Sequence, residues 1–172
     1  AIAHRGSDGR EHFINDDLGM GFCRLAFLDL QNGMQPISNE DGSLTMVCNG
    51  EIYNYVPIRE DLKKRGHIFK TDTDIEVILH LYEECGKDAF VKLNGQFAIA
   101  IYDRRLQEMV LVRDRMGISP LYYTVFDGRL LFASEIKSIL KYPQIPRKLN
   151  MRAVDQLMNF PGVVSPTTFF EG

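Results

Sequence analysis

The residue types that carry most enzyme chemistry occur in this sequence without the spacings of the common catalytic motifs. The glycines form no GxxxxGK[ST] or GxGxxG run, which argues against a loop that cradles phosphate. No GxSxG nucleophile elbow occurs, and no Ser–His–Asp set stands out. The histidines at positions 4, 12, 67 and 80 show no HExxH or HxH spacing, so we predict no metal site.

The three cysteines fit no familiar site either. Cys23, Cys48 and Cys85 are an odd number without a CxxC pair, which argues against a disulfide framework and a cysteine-rich zinc site. We interpret each as a small buried hydrophobic residue. This cysteine usage is typical of a reducing cytoplasm, which is the predicted location.

Three polar positions stand where the hydrophobic pattern does not require them. Arg24 interrupts an otherwise apolar strand, although an edge-strand arginine in solvent explains it equally well. Asn49-Gly50 has the composition of a type I′ hairpin turn, but it runs on towards Pro57 instead of a return strand. Asp74 occupies the first turn of a predicted helix, where the macrodipole favours an acid. Taken singly, each position has a structural explanation.

The composition excludes several classes of protein. The chain has 172 residues, of which 45% are hydrophobic and 25% charged, which is typical of one globular domain and argues against disorder. The net charge is −3, so we predict no nucleic-acid or anionic-lipid partner. The longest apolar run is Phe97–Tyr102, far short of the roughly 18 residues of a membrane helix.

The two ends carry no processing or closing signal. Ala1–Arg5 has neither a Met nor an apolar signal-peptide core, and the aromatic pair near the end has nothing after it to pack against. We therefore expect the chain to be a piece of a larger protein. Prolines are frequent from Pro143 onwards, and we expect residues 143–172 to lead towards a further domain.

The elements that position these residues follow from apolar periodicity and turn residues. Strands are predicted at residues 19–30, 44–48, 97–103, 108–113, 121–126 and 129–133. Helices are predicted between Pro57 and Gly66, after a capping box of Thr73 and Glu76, from Ser134 to Lys141, and near Met151–Phe160. Because strands and helices do not alternate as βαβ units, we predict an α+β fold with antiparallel sheets.

Seven runs of residues, in order, carry a resemblance to a known family. The runs are His4–Gly9, Arg24–Ala26, Gln35–Asn39, Asn49–Asn54 (NGEIYN), Thr73–Leu79, Arg113–Tyr123 (RDRMGISPLYY) and Phe132–Lys137. Together they resemble the glutaminase domain of glutamine-hydrolysing asparagine synthetases, which are class II glutamine amidotransferases, over the whole chain. The resemblance implies an N-terminal-nucleophile hydrolase fold, a four-layer sandwich with two antiparallel sheets between helix layers.

The resemblance also implies a nucleophile that these residues do not include. In the family it is a cysteine at the mature N-terminus, activated by its own α-amino group. The ordinary pKa of that amine, about 7.7–8.0, suits a general base near neutrality. None of the three internal cysteines matches this position. We therefore predict that residues 1–172 are an amidotransferase domain without its N-terminal strand and cysteine, and that this chain alone is inactive as a glutaminase.

The remaining site roles come from matching positions in the resemblance. The Asn49 side-chain amide and the Gly50 N–H correspond to the oxyanion hole, where a glycine lets the backbone approach the substrate. Arg24 corresponds to the arginine that binds the α-carboxylate of glutamine. Glu51 and Asp74 correspond to acids beside the α-ammonium group. The strand segment beside the substrate corresponds to Leu25, Ala26, Phe27 and Leu28.

The implied activity is that of the glutamine-hydrolysing part of an asparagine synthetase, which makes asparagine from aspartate, glutamine and ATP. L-Glutamine is the expected substrate, and the expected partner is a C-terminal synthetase domain in the same chain, which would use ATP and Mg²⁺. No cofactor is expected in residues 1–172, and a homodimer is left open. The alternatives are an amidotransferase with another acceptor, such as a peptide or a glycan, and a non-catalytic relative that acts as an interaction domain.

Overall fold

The computed structural model describes residues 1–15, 18–26 and 28–172 and contains two compact units, residues 2–120 and residues 121–172, with residue 1 grouped with the second. The first unit contains β1 (Gly9–Ile14), β2 (Gly19–Arg24), β3 (Ile37–Ser38), β4 (Leu44–Ile52), α1 (Tyr55–Lys64), α2 (Glu76–Cys85), α3 (Ala89–Lys92), β5 (Gly95–Asp103) and β6 (Glu108–Arg113). The second contains β7 (Tyr122–Phe126), β8 (Arg129–Ala133), α4 (Ile136–Ile139) and α5 (Met151–Asn159). Short 3₁₀ turns lie at Ala3–Arg5 and Gly86–Asp88.

The first unit is built on an antiparallel sheet with the strand order β3-β4-β5-β6. The central strands β4 and β5 pair over their whole length, with Leu44 opposite Asp103 and Ile52 opposite Gly95. β1 and β2 form a separate antiparallel hairpin. Antiparallel sheets combined with helices confirm the predicted α+β class.

The core of the first unit lies on one face of this sheet. Because successive side chains of a strand point to opposite faces, alternate residues of the two central strands reach the helices α1 and α2. The buried cluster includes Leu44, Met46, Cys48, Ile52, Phe97, Ile99 and Ile101 from the strands and Leu62, Val77, Ile78, Leu79 and Tyr82 from the helices. Burial of this apolar face fixes the register of β4, so Asn49 and Glu51 project from the opposite face.

Two predictions about strand ends were wrong. Asn49-Gly50 is not a hairpin turn, because both residues lie inside β4 and pair with Ala98 and Phe97 of β5. The strand predicted over residues 19–30 ends at Arg24. The local turn composition of Asn49-Gly50 is overridden by the ladder that β5 supplies along its whole length.

The predicted capping box before α2 was also wrong. The helix begins at Glu76, and Ile75 precedes it without a side-chain cap. The Thr73 hydroxyl lies 2.7 Å from the Thr71 hydroxyl. The Glu76 carboxylate reaches back to the N–H groups of Lys70 and Thr71, at 2.7 and 2.8 Å. Asp74 therefore stands before the helix and not in its first turn. The helix between Pro57 and Gly66 is confirmed by α1.

The second unit matches its predictions more closely. β7 and β8 form an antiparallel hairpin through Asp127-Gly128, whose φ angles of 50° and 70° are those of a type I′ turn. α5 confirms the last helix, and Asn150 caps it by accepting the N–H of Arg152 at 3.1 Å. α4 is shorter than predicted, at four residues. Over the described ranges of the chain, no helix is long and apolar enough to cross a membrane.

Candidate active site

The site predicted from the sequence lies in the first unit, along one edge of β4. Ser43 C=O accepts the N–H of Arg104 at 2.9 Å, and Tyr53 N–H donates to Asn94 C=O at 2.8 Å. In an antiparallel ladder, paired residues alternate between hydrogen-bonded and non-hydrogen-bonded. The odd-numbered residues of β4 therefore bond to β5, and the N–H groups of its even-numbered residues point to the opposite edge.

Side chains occupy this edge where β3 does not reach. The Gln35 side-chain amide makes the two hydrogen bonds that a neighbouring strand would make. Cys48 N–H donates to its Oε1 at 2.6 Å, and its Nε2 donates to Cys48 C=O at 2.9 Å. Two residues beyond Gly50, Ile52 N–H donates to Asp74 Oδ2 at 2.5 Å. The N–H of Gly50 lies between these two, and within the described part of the chain it donates to no acceptor. It is an open donor on an otherwise occupied edge.

Gly50 is required here by the close approach of the neighbouring strand. A Cβ atom at this position would lie 2.0 Å from Gln96 C=O oxygen and 2.6 Å from Phe97 Cα. A glycine is expected here from the sequence because it gives the substrate access to the backbone, whereas the structure shows that the neighbouring strand leaves no room for a side chain. Any side chain at this position would push β4 and β5 apart, and the open N–H would move with the strand.

The Asn49 side chain provides a second donor beside Gly50. It is half-buried on the sheet face opposite the core, directly across from the small residue Ala98. Among the described residues, none forms a hydrogen bond with its amide. An unused amide and an unused backbone N–H on adjacent residues can stabilise a negative oxygen, and water or substrate must satisfy them.

Asp74 and Glu51 place two carboxylates at the far end of this edge. Asp74 is buried, at 6% exposure. Burial raises the pKa of Asp74, the Ile52 N–H lowers it and the charge of Glu51 raises it, with a net upward shift. Neither carboxylate has a cationic partner among the residues that the structure describes. Two interacting carboxylates without a counter-ion form an attractive site for a cationic group.

The segment that carries Asp74 is held by a buried arginine of α1. Arg59 Nη1 donates to Thr71 C=O at 2.9 Å, and its Nη2 donates to Thr73 C=O. The guanidinium carbon also lies 4.6 Å from the centre of the Phe69 ring. The Glu76 carboxylate holds the same segment from the other side. Asp74 is therefore positioned by neighbouring elements and has little freedom of its own.

Arg24, at the end of β2, is buried and holds the loop that follows it. Its guanidinium donates to the carbonyl oxygens of Leu28, Asp29 and Leu30 at 2.9, 2.5 and 3.3 Å. A Cβ added to Gly33 would lie 2.5 Å from Arg24 Nη2 and 2.6 Å from Thr73 Cγ2, so the arginine adjoins the segment of Asp74. The edge-strand arginine in solvent is excluded, since the residue is 6% exposed.

The residues after Arg24 lie in a loop and not in the predicted strand. Leu25 and Leu28 are exposed, at 52% and 44%. Ala26 N–H donates to Asp8 Oδ2 at 2.8 Å, and Leu28 C=O accepts from Arg24, so both backbone groups already have partners. Phe27, predicted with them, lies outside the described residues.

None of the internal cysteines has the surroundings of a nucleophile. Cys48 is next to Asn49 in sequence, but its side chain points into the core and is 2% exposed. Burial and the charge of Asp74 raise the pKa of the Cys48 thiol far above its usual range. Cys23 and Cys85 are half-buried free thiols, and Cys85 Sγ accepts a hydrogen bond from Lys92 Nζ.

Three positioning residues were missed by the sequence analysis. Gln35 completes the edge of β4, Arg59 holds the Asp74 segment, and Asp8 holds Ala26. Gln35 and Asp8 lie in runs that carried the resemblance, but no role was assigned to them. Arg59 had a readable signal, since it falls on the apolar stripe of α1 between Tyr55 and Leu62, where an exposed arginine is not expected.

Comparison with known proteins decides the family. The profile of the glutamine amidotransferase domain matches residues 1–172. The chain belongs to this family. It is 48% identical over 152 residues to glutamine-hydrolysing asparagine synthetase 2 of Bacillus subtilis, an alignment that covers 88% of this chain and 20% of the relative. It is also 38% identical over 174 residues to the amidase chry2 of Gibberella zeae, covering 99% of this chain and 25% of the relative.

A solved amidotransferase supports the predicted type of fold. The glutamine phosphoribosylpyrophosphate amidotransferase of B. subtilis superposes with a TM-score of 0.59 and 29% sequence identity, over 70% of this chain and 28% of that one. The N-terminal-nucleophile hydrolase prediction is thus confirmed for this amidotransferase domain. The chain spans about a fifth to a quarter of the length of its two curated relatives.

Proposed function

We propose that this amidotransferase domain hydrolyses L-glutamine and supplies the ammonia for asparagine synthesis in a longer protein. The observation that carries the proposal is the edge of β4. The open Gly50 N–H adjoins the unused Asn49 amide, and Asp74, beside Glu51, binds the same edge without a cationic partner among the described residues.

The two ends of glutamine fit the charges around this edge. The α-ammonium group is placed beside Asp74 and Glu51, whose mutual repulsion a cation relieves. The α-carboxylate is placed at Arg24. A guanidinium has five N–H donors, and the bonds to Leu28, Asp29 and Leu30 leave Nε–H and one hydrogen of Nη1, either of which can donate to a carboxylate.

The oxyanion is assigned to Asn49 and Gly50. When a thiolate attacks the side-chain amide carbon of glutamine, the carbonyl oxygen gains negative charge. Fixed donors aimed at that oxygen stabilise the transition state without further reorganisation. Donors on adjacent residues of a strand held by both Gln35 and β5 are fixed in this sense.

The nucleophile is assigned to a cysteine that precedes residue 1 in the protein. Its sulfur attacks the amide carbon, its α-amine carries the thiol proton to the leaving nitrogen, and ammonia departs to leave a thioester. Water then hydrolyses the thioester to glutamate and regenerates the cysteine. The core position and raised pKa of Cys48 support looking outside these residues for the thiol.

The ammonia acceptor is assigned to aspartate on the strength of the similarity to an asparagine synthetase. A further domain in the same chain would bind aspartate, ATP and Mg²⁺, and would release asparagine, AMP and pyrophosphate. The test is product analysis of the full-length protein with glutamine alone, and then with aspartate and MgATP. We expect glutamate in both reactions and asparagine only in the second.

A second acceptor is favoured by the similarity to the amidase chry2, which extends over 99% of this chain. Release of glutamate without amidation of aspartate would favour an acceptor such as a peptide or a glycan. Absence of glutamate from the full-length protein would overturn the catalytic proposal and favour the interaction domain.

A further inference from the structure

Four side chains outside the candidate active site converge on one point. Glu40, His67, His80 and Glu83, called here the two-histidine cluster, each offer one ligand atom, and these atoms all lie within 4.8 Å of one another. Glu40 lies between β3 and β4, and His67 follows α1. His80 and Glu83 lie one turn apart on α2. The prediction that no metal site is present was based on the spacing of histidines along the sequence, which can exclude only metal sites built from a single segment.

His80 is the buried member of the two-histidine cluster. Its side chain is 1% exposed, with Nδ1 3.3 Å from Glu40 Oε2 and Nε2 3.6 Å from Glu76 Oε1. Within the described part of the chain, neither ring nitrogen forms a hydrogen bond. Buried polar atoms are almost always satisfied. A ring nitrogen that faces a carboxylate oxygen across this gap has the surroundings of a metal ligand.

His67 is oriented towards the same point by a second carboxylate. Its Nε2 lies 3.1 Å from Glu84 Oε1. In the tautomer that donates from Nε2 to this carboxylate, Nδ1 presents its lone pair to the cluster. That Nδ1 lies 3.5 Å from Glu40 Oε1 and 4.0 Å from Glu83 Oε2. A carboxylate on the outer nitrogen of a histidine is the usual support of a metal-binding imidazole.

The two glutamates of the cluster are themselves held in place. Glu40 Oε1 accepts the N–H of Ile68 at 2.9 Å, and Glu83 Oε2 accepts from Asn39 Nδ2 at 3.3 Å. Arg105 Nη1 lies 3.9 Å from the other oxygen of Glu83. The two carboxylates supply two negative charges, which one divalent cation balances.

The spacing of the donors fits a tetrahedral ion. Zinc binds nitrogen and oxygen at about 2.0–2.2 Å, which places the corners of its tetrahedron roughly 3.3–3.6 Å apart. The contact of 3.3 Å between His80 Nδ1 and Glu40 Oε2 already has this spacing. His67 Nδ1 lies 3.5 Å from the other oxygen of Glu40 and 4.0 Å from Glu83 Oε2, and the four ligand atoms lie within 4.8 Å of one another, so the side chains must move inward to bind one ion. Imidazole with carboxylate suits zinc, whereas magnesium and calcium prefer all-oxygen sites.

We propose that the two-histidine cluster binds one divalent transition-metal ion, for which zinc is the best fit. Four protein ligands leave no open position, so the site is structural and not catalytic. The ion joins the Glu40 loop and the His67 loop to α2. The segment from His67 leads directly to Asp74, so the ion steadies the support of the candidate active site.

The test compares the full-length protein with variants of the cluster, using Zn²⁺ alone as the probe after accessible thiols are alkylated. We expect the double variant His67→Gln/Glu83→Gln to bind one zinc equivalent less than the parent by calorimetry and metal analysis. Co²⁺ should give the visible absorption of a tetrahedral site in the parent and not in the double variant. His12→Gln, an exposed histidine on β1, is the matched control and should retain both signals.

Thermal unfolding and circular dichroism make the result independent of whether a variant folds poorly. Zn²⁺ at about 100 times its dissociation constant should raise the melting temperature of the parent by several degrees relative to EDTA. The double variant, shown to be folded by its circular dichroism, should show no such shift. The single variant Glu40→Gln provides the same comparison from an exposed loop. Equal melting temperatures of the parent in Zn²⁺ and EDTA, or equal zinc stoichiometry in parent and double variant, would show that the cluster is only a network of ion pairs.

Discussion

Two regions of the first unit carry residues from runs of the family resemblance, yet they use their carboxylates in opposite ways. In the loop after β6, Asp114 accepts the N–H groups of Met116, Ile118 and Ser119 at 3.0 Å and that of Phe97 at 3.3 Å. At the β4 edge, Asp74 Oδ2 accepts the N–H of Ile52 at 2.5 Å.

The electrostatics of these two acids differ accordingly. Burial raises the pKa of Asp114, but its backbone N–H donors more than offset this effect, and its pKa lies below the usual range. The pKa of Asp74 lies above it, mainly because of burial. An acid saturated with N–H donors stabilises a loop, whereas a buried acid beside another carboxylate gains most from a bound cation. A carboxylate in a run of the family resemblance is therefore a structural residue in one region and a candidate binding residue in the other.

Removal of an oxyanion donor should give the largest effect. Asn49→Ala in the full-length protein should lower kcat for glutamate release by about 10²–10³, because the donor acts only on the oxyanion. The measurement is steady-state kinetics with glutamine alone. Asn159→Ala, at the exposed end of α5, is the control. An increase in KM with kcat intact would make Asn49 a simple binding residue.

Removal of the Asp74 charge should affect substrate binding more than stability. Loss of a partner from a buried charge pair costs about 2–5 kcal/mol, so Asp74→Asn should reduce kcat/KM for glutamine by at least about 30-fold. Asp72→Asn, two residues away, removes only an ion pair with Arg59 at 3.4 Å in which the Asp72 side chain is 94% exposed, so it should have little effect. Glutamine analogues without the α-amino group should lose little further in Asp74→Asn. Equal kinetics of the two variants would contradict the assignment of Asp74.

The corresponding change at Asp114 should affect stability and not chemistry. Asp114→Asn leaves backbone N–H groups without acceptors, at about 1–3 kcal/mol each, so the melting temperature should fall by several degrees. Glutaminase activity well below that temperature should be retained. A loss of activity as large as that of Asp74→Asn would erase the distinction between the two regions.

The pH dependence of stability should separate the same two acids. The lowered pKa of Asp114 adds stability at neutral pH that is lost as the pH falls through the ordinary carboxyl range to its folded pKa. The raised pKa of Asp74 favours folding only while it is protonated, and this contribution is lost as the pH rises through its folded pKa. Asp114→Asn should therefore be less stable than the parent at neutral pH, and this difference should disappear as the pH is lowered. Asp74→Asn should show no loss of stability at neutral pH. Thermal unfolding measured from acidic to neutral pH checks both expectations.

The smallest effect is expected at the cysteine beside the oxyanion donors. Removal of a catalytic nucleophile costs on the order of 10⁶ in kcat, whereas Cys48→Ala should leave the rate within the same order of magnitude. Its side chain packs in the core, so a modest loss of stability is the main result expected. Rates of glutamate release and thermal unfolding measure both, and a collapse of the rate in a folded variant would reopen the search for the nucleophile.

Some features of the molecule were accessible from the sequence because they depend on near neighbours. Pro57 and Gly66 bracket α1, and Asp127-Gly128 supplies the positive φ angles of the β7–β8 hairpin. The order of strands and helices, which lacks βαβ alternation, was sufficient to predict antiparallel sheets. The same local reasoning wrongly favoured a turn at Asn49-Gly50, because the composition of two residues does not show which strand pairs with them.

The sequence by itself determined the α+β class, the approximate elements and, through its motifs, the residues of the candidate site. Only the tertiary structure decided which polar groups already have hydrogen-bond partners and which remain available to a ligand. Whether the Gly50 N–H is free depends on where β3 ends and on Gln35 replacing it. The two-histidine cluster depends on two loops that meet α2. Hydrogen-bond satisfaction is a property of distant groups brought together, so no local pattern of residues encodes it.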